Sequence, residues 1–251
     1  MRSLVRFFAL AYGISWLIWM PRWLPLLGVH GVPNPNWVDA LAGLGPALAA
    51  LFICWHERGS AGVRLLVSQV TSLGRGWYWA IALAVPLFCL GLCLIIDETT
   101  RTSFFTTTSA VRSLKLMIFF GFGEEIGWRG FVLPRLQNRM NALSSSLLLS
   151  IFWMLWHLPL LLDQNTPALT MLGSLRWIVL LVSGSVILTW LFNESRGSVL
   201  VPALFHGAYD LVGATGKLSL AILSIVVLTW ALTIILYFKP RNLADSERVT
   251  A

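Results

Sequence analysis

Long apolar runs separated by short polar segments dominate this chain. Eight of the runs are close to the length of a membrane-spanning helix, which needs about 20 mostly apolar residues. A bilayer offers no hydrogen-bond partner to an exposed backbone, and the runs are too continuous for barrel strands, so helices are expected. The pattern predicts an all-α polytopic membrane protein with eight transmembrane helices, at about residues 4–20, 38–55, 77–96, 114–133, 143–162, 176–193, 198–214 and 218–238.

The composition agrees with this class of protein. Of the 251 residues, 57% are hydrophobic and only 12% are charged, whereas charged residues make up about a quarter of a typical soluble domain. The 13 Trp and 14 Phe residues suit the aromatic belts at membrane interfaces. The net charge is +7, but no basic cluster is interleaved with aromatic residues in the way of a nucleic-acid surface. We therefore expect membrane lipid, and no nucleic acid, as a partner.

The distribution of Lys and Arg over the loops predicts the orientation of the chain. With the N-terminus in the cytoplasm, eleven of these residues fall in cytoplasmic segments and six in segments on the other side. By the positive-inside rule, a multi-pass protein of the cell membrane with both termini in the cytoplasm is expected. The first apolar run lacks a small-residue cleavage site, and we interpret it as an uncleaved span. The chain is expected to form one transmembrane domain, residues 1–251, with a polar cytoplasmic tail at residues 239–251.

The fourth and seventh spans are the least hydrophobic, and both contain charged residues. In the fourth span, the stretch GFGEEIGWRGF places Glu124, Glu125 and Arg129 in a run that otherwise suits lipid. A charge at bilayer depth costs at least about 2.5 kcal/mol. These groups must therefore be paired with each other or have a function.

Helical geometry separates the two carboxylates of this stretch. Residues four apart on an α-helix lie nearly above one another, so Glu125 and Arg129 are predicted to form an ion pair in the favourable acid-before-base order. Glu124 is five residues from Arg129, and we expect it to point elsewhere without a local partner. An intramembrane acid that lacks a partner is a functional candidate by default.

Four glycines, at positions 121, 123, 127 and 130, leave one side of the same helix almost bare. Small residues at such spacing allow another helix to approach closely. They could equally provide space for the backbone of a substrate, and the sequence leaves both interpretations open.

Two histidines and an aspartate lie in other apolar spans. His157 is in the fifth span, and His206 and Asp210 are in the seventh. His206 and Asp210 are four residues apart, so they share a helix face, and a carboxylate in that position can hold an imidazole in one tautomer. A single intramembrane histidine often makes only a helix–helix hydrogen bond. Two of them, together with Glu124 and Asp210, indicate one site in a core formed by spans four, five and seven.

The order and spacing of these residues resemble the CPBP family, which contains CAAX prenyl endopeptidases and bacteriocin-processing or immunity proteins and is also called the ABI family. Its pattern is EExxxR, FxxxH and HxxxN or HxxxD, each in a membrane span. All three motifs occur here in that order, within a motif-bearing core of roughly residues 114–214. Two positions depart from the prenyl endopeptidases: Trp153 stands where the second motif has Phe, and Asp210 stands where they have Asn.

The resemblance implies an intramembrane protease, a hydrolase whose substrate is a peptide or protein, prenylated or not. It implies that Glu124 is the general base and that His157 helps to position or activate the water. His206, oriented by Asp210, would polarise the scissile carbonyl, and Glu125 and Arg129 would support the helix that carries Glu124. An ionised Asp cannot donate a hydrogen bond to an oxyanion, so Asp210 is expected to be protonated, to orient His206 or to bind a metal.

Three alternatives stay open at this stage. The groups Glu124, His157, His206 and Asp210 could bind one divalent metal such as zinc, as in a metalloprotease, although the spacing HExxH is absent and a glutamate mechanism without a cofactor is favoured. Intramembrane acids and histidines also occur in proton- or ion-coupled transporters, but the sequence shows no repeated halves with broken helices. A non-catalytic membrane scaffold or immunity protein would not need an unpaired Glu124.

Overall fold

The computed structural model describes residues 2–35, 37–98, 101–102, 111, 114–161, 171–214 and 217–251. Regular structure in these residues is helical, and they contain no β-strand. The prediction of an all-α protein is therefore confirmed.

Each of the eight predicted spans contains helical structure, and the main helices are numbered in chain order. The first three are α1 (Arg2–Ile18), α2 (Gly45–Thr71) and α3 (Tyr78–Ile96). Helix α4 consists of four consecutive helical segments, Leu116–Phe122, Gly123–Gly127, Trp128–Val132 and Leu133–Gln137. The last four are α5 (Ala142–Trp156), α6 (Met171–Glu194), α7 (Leu200–Gly213) and α8 (Lys217–Tyr237). Shorter helical segments lie at Met20–Trp23, Leu24–Leu27, Trp37–Ala42 and Leu158–Leu161.

Several of the described helices have the length and hydropathy of a membrane span. Three stretches satisfy both criteria alone: Trp37–Thr71, Tyr78–Ile96 and Leu175–Glu194. A fourth results if Arg2–Ile18 and Met20–Leu27, which meet at an angle of 69°, form one span. The segments Ala142–Trp156 and Ala221–Tyr237 are apolar but shorter. The helices agree with a membrane protein, and the number of eight spans stays a prediction.

Helix α4 occupies a central position among its neighbours. Helix α7 packs against its first segment, α2 packs against the segment Gly123–Gly127, and α1 packs against α2. As a result, Glu124 is only 1% exposed, and Glu125 and Arg129 are completely buried. The charged stretch of this helix is therefore enclosed by protein and does not face lipid.

The segment with both glutamates is flanked by wider helical turns. Leu116–Phe122 and Trp128–Val132 are π-helical, and Gly123–Gly127 between them is α-helical. A π-helical turn has its backbone hydrogen bonds between residues five apart, and such turns are frequent at functional sites. The single regular helix expected from the sequence is thus interrupted on both sides of Glu124.

The glycines of α4 face neighbouring helices. A Cβ added at Gly121 would lie 2.7 Å from the carbonyl oxygen of Ala203 on α7, and one added at Gly127 would lie 2.5 Å from Cβ of Pro46 on α2. Real Cβ atoms essentially never come this close to other heavy atoms. Of the two interpretations left open by the sequence, the structure shows the close approach of helices.

Replacing Gly121 by alanine is therefore expected to force α4 and α7 apart. The obstacle is a backbone carbonyl that cannot rotate away, so we expect a loss of roughly 1–3 kcal/mol in the free energy of unfolding. The matched control is Gly91→Ala on α3, where no atom lies within 4 Å of an added Cβ and alanine is the better helix former. Thermal unfolding in detergent compares the two variants. Equal melting temperatures would contradict the close contact.

The C-terminal segment packs against the ends of two helices. The side chains of Gln137 on α4 and Asn193 on α6 are fully buried and exchange hydrogen bonds of 3.0 and 2.9 Å. Gln137 Nε2 also donates to the carbonyl of Val249 at 2.7 Å, and Asn193 Nδ2 donates to the carbonyl of Asn242 at 2.9 Å. The segment predicted as a polar tail is therefore part of the packed structure.

Both ends of the described chain lie at the same end of α4. Near the N-terminus, Ser3 donates a hydrogen bond to Glu57, whose carboxylate also lies 3.7 Å from Arg135. Three residues after Arg135, the side chain of Asn138 exchanges hydrogen bonds with the backbone of Ala251. This arrangement agrees with the expectation that both termini share one side of the membrane, and the cytoplasmic side stays a prediction.

Candidate active site

Three helices bring the candidate residues together. Glu124 is on α4, His206 and Asp210 are on α7, and His157 directly follows α5. The structure ends α5 at Trp156 and places His157 at its C-terminal cap, whereas the sequence pattern had predicted a span that continues to about residue 162. The elements correspond to the predicted spans four, five and seven.

Two tryptophans hold the carboxylate of Glu124. Its Oε2 accepts a hydrogen bond from Trp128 Nε1 at 3.2 Å and another from Trp153 Nε1 at 2.5 Å. Trp128 is one turn further along α4, and Trp153 is on α5. The prediction that Glu124 has no local partner is wrong, because it considered only charged groups and an indole N–H is also a donor. Within the described part of the chain, Oε1 accepts no hydrogen bond.

The carboxylate of Glu125 binds two partners through one oxygen. Its Oε1 accepts from Arg129 Nη1 at 2.9 Å and from His206 Nδ1 at 2.7 Å. The predicted ion pair between Glu125 and Arg129 is confirmed. Arg129 Nη2 also lies 3.4 Å from Ser185 Oγ, and its guanidinium lies 5.1 Å from the ring centroid of Trp153. Glu125 therefore connects the ion pair of α4 to the histidine of α7.

His206 is oriented by Glu125 and not by Asp210. A carboxylate can only accept, so Nδ1 of His206 carries the proton that it donates to Glu125. Asp210 Oδ2 lies 3.6 Å from Nε2 of the same ring, which is within range of charge attraction but too long for a hydrogen bond. The predicted proximity of His206 and Asp210 is present, but the orienting hydrogen bond comes from another helix.

One ring nitrogen of His157 is bound by the backbone. Its Nδ1 lies 2.8 Å from the carbonyl oxygen of Trp153. A carbonyl oxygen only accepts, so Nδ1 carries the proton, and Nε2 keeps its lone pair in the neutral ring. The rings of Trp153, Trp156 and Trp177 surround the imidazole at centroid distances of 5.8, 4.7 and 5.8 Å. The tautomer leaves Nε2 able to accept a hydrogen bond from water.

Trp153 connects the groups of the site that come from different helices. Its N–H bonds Glu124, and its ring lies under the guanidinium of Arg129. The same ring contacts the imidazoles of His206 and His157 at centroid distances of 5.3 and 5.8 Å. The sequence had singled out Trp153 only as a departure from the family pattern. In the structure, Trp153 contacts candidate groups from all three helices of the site.

The arrangement of these side chains does not fit a metal site. In the described residues, no three or more His, Cys, Asp or Glu side chains lie together as ligands of one ion. Oε2 of Glu124 is bound by two indoles, so only Oε1 of this carboxylate is free to ligate an ion. The set predicted for a metal, Glu124, His157, His206 and Asp210, therefore does not form a ligand cage in this conformation.

Comparison with known proteins gives two matches to the part of the chain that holds the site. The family model described as type II CAAX prenyl endopeptidase Rce1-like matches residues 105–212. A curated protein from Methanococcus maripaludis, named CAAX prenyl protease 2, is 31% identical over 105 residues, which cover 40% of this chain and 39% of that protein. The matched segment of this helical chain is therefore similar to the prenyl endopeptidases and spans well under half the length of the curated relative. The two matches confirm the resemblance to the CPBP family, on the segment that contains all three motifs.

Proposed function

We propose that this protein is an intramembrane endopeptidase that hydrolyses a peptide bond of a peptide or protein substrate. The observation that carries the proposal is the environment of Glu124. One oxygen of this buried carboxylate is held by two indoles, the other has no partner among the described residues, and two histidines lie around the same tryptophan. The match to the Rce1-like model and to a curated prenyl protease supports this activity.

In the proposed reaction, Glu124 is the general base. Peptide hydrolysis requires an activated water and a stabilised oxyanion. Oε1 of Glu124 takes a proton from a water molecule as the water oxygen forms a bond to the scissile carbonyl carbon. Nε2 of His157 accepts the second hydrogen bond of that water and so positions it. When the carbon–nitrogen bond breaks, Glu124 returns the proton to the leaving amine.

His206 is the proposed donor to the oxyanion. With a proton on each ring nitrogen, it donates Nδ1–H to Glu125 and Nε2–H to the oxygen that gains negative charge. An ionised Asp210 cannot donate to an oxyanion, so in this proposal it balances the charge of the imidazolium, from 3.6 Å away. Arg129 forms an ion pair with Glu125 at Oε1, the same oxygen that accepts the hydrogen bond from His206.

The proposed mechanism uses no metal and no other cofactor. A protein zinc site has at least three ligands from the chain, and the described side chains do not converge in that way. The residues with roles in the reaction are Glu124, His157 and His206, with Asp210, Glu125 and Arg129 in support. This assignment departs from the sequence-based one in giving the orienting role to Glu125.

We also propose a location and a class of substrate. The protein would lie in the cell membrane with both termini in the cytoplasm, which the excess of Lys and Arg and the shared position of both chain ends support. Because the curated relative is named a CAAX prenyl protease, peptides that end in a prenylated CAAX sequence are the first candidates. Unlipidated peptides of the same sequence are the second.

The proposal is tested with purified protein reconstituted in liposomes. A farnesylated CAAX peptide and its unlipidated form are offered to the wild type and to His206→Ala, and products are measured by mass spectrometry. We expect cleavage by the wild type, with and without EDTA, and a loss of at least about a hundredfold in His206→Ala, because removing one oxyanion donor costs about 10²–10³ in kcat. Activity lost in EDTA and restored by zinc would overturn the metal-free mechanism. Proton flux without cleavage would favour a transporter instead.

A further inference from the structure

Trp153 stands where the second family motif has Phe, and its indole N–H makes a contact that a phenylalanine cannot make. We propose that Trp153 is a positioning residue for Glu124: together with Trp128 it holds Oε2 and thereby leaves Oε1 as the oxygen that receives the proton of the water. This inference rests on the proposed function of Glu124. It concerns two residues to which the motif pattern assigns no role.

The first argument is the convergence of two donors on one oxygen. A carboxylate held by a single hydrogen bond can still turn about its terminal bond and exchange its two oxygens. Here Trp128 and Trp153 donate to the same Oε2 from two different helices, at 3.2 and 2.5 Å. The two contacts fix both the plane of the carboxylate and the identity of the oxygen that stays free.

The second argument is the burial of the group. Glu124 is 1% exposed and Trp153 is 5% exposed, so bulk water does not compete for this contact. Hydrogen bonds to an ionised acceptor are roughly twice as strong as neutral ones. A buried donor from α5 therefore determines the orientation of a side chain on α4 and ties the general base to the helix that precedes His157.

The third argument is that burial of a tryptophan does not by itself produce such a contact in this chain. The Nε1 atoms of Trp156 and Trp190 are also buried, and neither has a hydrogen-bond partner among the described residues. The indole of Trp153 differs from these two in that its donor meets a carboxylate of the site. Packing therefore explains why the ring of Trp153 is buried, but it does not explain the hydrogen bond from its N–H to Glu124.

The variant Trp153→Phe isolates the N–H from the ring, because a phenyl ring can still pack against Arg129, His157 and His206. We expect kcat for the farnesylated CAAX peptide to fall by about 10- to 100-fold, the range for losing a hydrogen bond to a charged group. KM should stay within about twofold, because the lost contact acts on the chemical step. Trp128→Phe removes the longer hydrogen bond and should have the smaller effect.

Trp190→Phe on α6 is the matched control. It makes the same chemical change at a buried tryptophan whose Nε1 has no partner among the described residues, and we expect kcat to stay within about twofold of the wild type. If Trp153→Phe keeps the wild-type kcat while Glu124→Ala is inactive, the inference is overturned and the proposed function stands. If Glu124→Ala also cleaves like the wild type, both are overturned.

A measurement without catalysis keeps the inference testable even if Trp153→Phe folds poorly. In protein labelled with ¹⁵N at the indole nitrogens, we expect Glu124→Ala to move two indole N–H resonances, those of Trp128 and Trp153, more than any others. The resonance of Trp190 serves as the internal reference. A spectrum in which no indole resonance moves would show that the carboxylate accepts from neither tryptophan, and this would overturn the inference.

Discussion

Replacing Glu124 by glutamine is expected to lower kcat for peptide cleavage by about 10²–10⁴-fold, the contribution of a general base. Glutamine has nearly the same volume, and its carbonyl oxygen can still accept from Trp128 and Trp153. The amide nitrogen then takes the place of Oε1, and it cannot remove a proton from water. The variant should therefore keep the fold and lose the reaction, with KM near that of the wild type.

Kinetics of the reconstituted protein with the farnesylated CAAX peptide measure this effect. Glu57→Gln is the control, because Glu57 is a carboxylate at the end of the protein where Ser3 and Arg135 lie, and its loss should leave kcat within about twofold. Melting temperatures of both variants in detergent show whether they fold. A Glu124→Gln variant that is folded and retains more than a tenth of the wild-type kcat would rule out Glu124 as the base.

The second large effect is expected when the buried ion pair of α4 is broken. Glu125 and Arg129 are fully buried, and removing one member of a buried pair leaves an uncompensated charge that costs about 3–5 kcal/mol. Glu125→Leu should therefore lower the free energy of unfolding by this amount. The double variant Glu125→Leu/Arg129→Met should recover much of it, because it removes both charges and keeps the side-chain volume.

The double variant should recover stability without recovering activity. The double variant is expected to be inactive even if it is stable, because His206 has lost the acceptor for its Nδ1 proton. Glu57→Leu is the control for stability, since it breaks a partly exposed pair with Arg135 and should cost no more than about 1 kcal/mol. Thermal unfolding and cleavage by the same preparations give both readouts. If the double variant is less stable than Glu125→Leu, the buried-charge argument is wrong; if it cleaves, His206 does not need Glu125.

Much of the fold followed from the sequence because a membrane leaves few choices. Apolar runs of sufficient length must be helices in lipid, and each of the eight runs contains helical structure, although boundaries such as the end of α5 at Trp156 differ from the prediction. The pair Glu125–Arg129 was also predictable, since residues four apart on a helix lie next to each other. The same spacing connects Glu124 with Trp128, and this contact was missed only because a tryptophan was treated as apolar.

The remaining contacts of the site depend on how separate helices pack, which a single sequence does not specify. Nothing in the local pattern indicates that Trp153 on α5 reaches Glu124 on α4, or that Glu125 reaches His206 on α7. The aspartate four residues after His206 looked like its natural orienting partner. In the structure, the hydrogen bond of His206 is instead made to Glu125, which is 81 positions away in the chain. The two residues meet because α4 and α7 lie in contact at Gly121. A pattern based on 3.6 residues per turn likewise could not predict the π-helical turns on either side of Glu124.

The contact between α4 and α7 also restricts how a polypeptide could reach Glu124. At Gly121 the two backbones are so close that even a methyl group would collide with the carbonyl of Ala203. An extended peptide chain, which is several ångströms wide without its side chains, cannot pass through this seam. A substrate is therefore not expected to enter between α4 and α7 at Gly121. Cysteine pairs that crosslink α4 to α7 at this contact are therefore expected to leave peptide entry unchanged, which makes them suitable for holding the two helices together while a bound peptide is trapped.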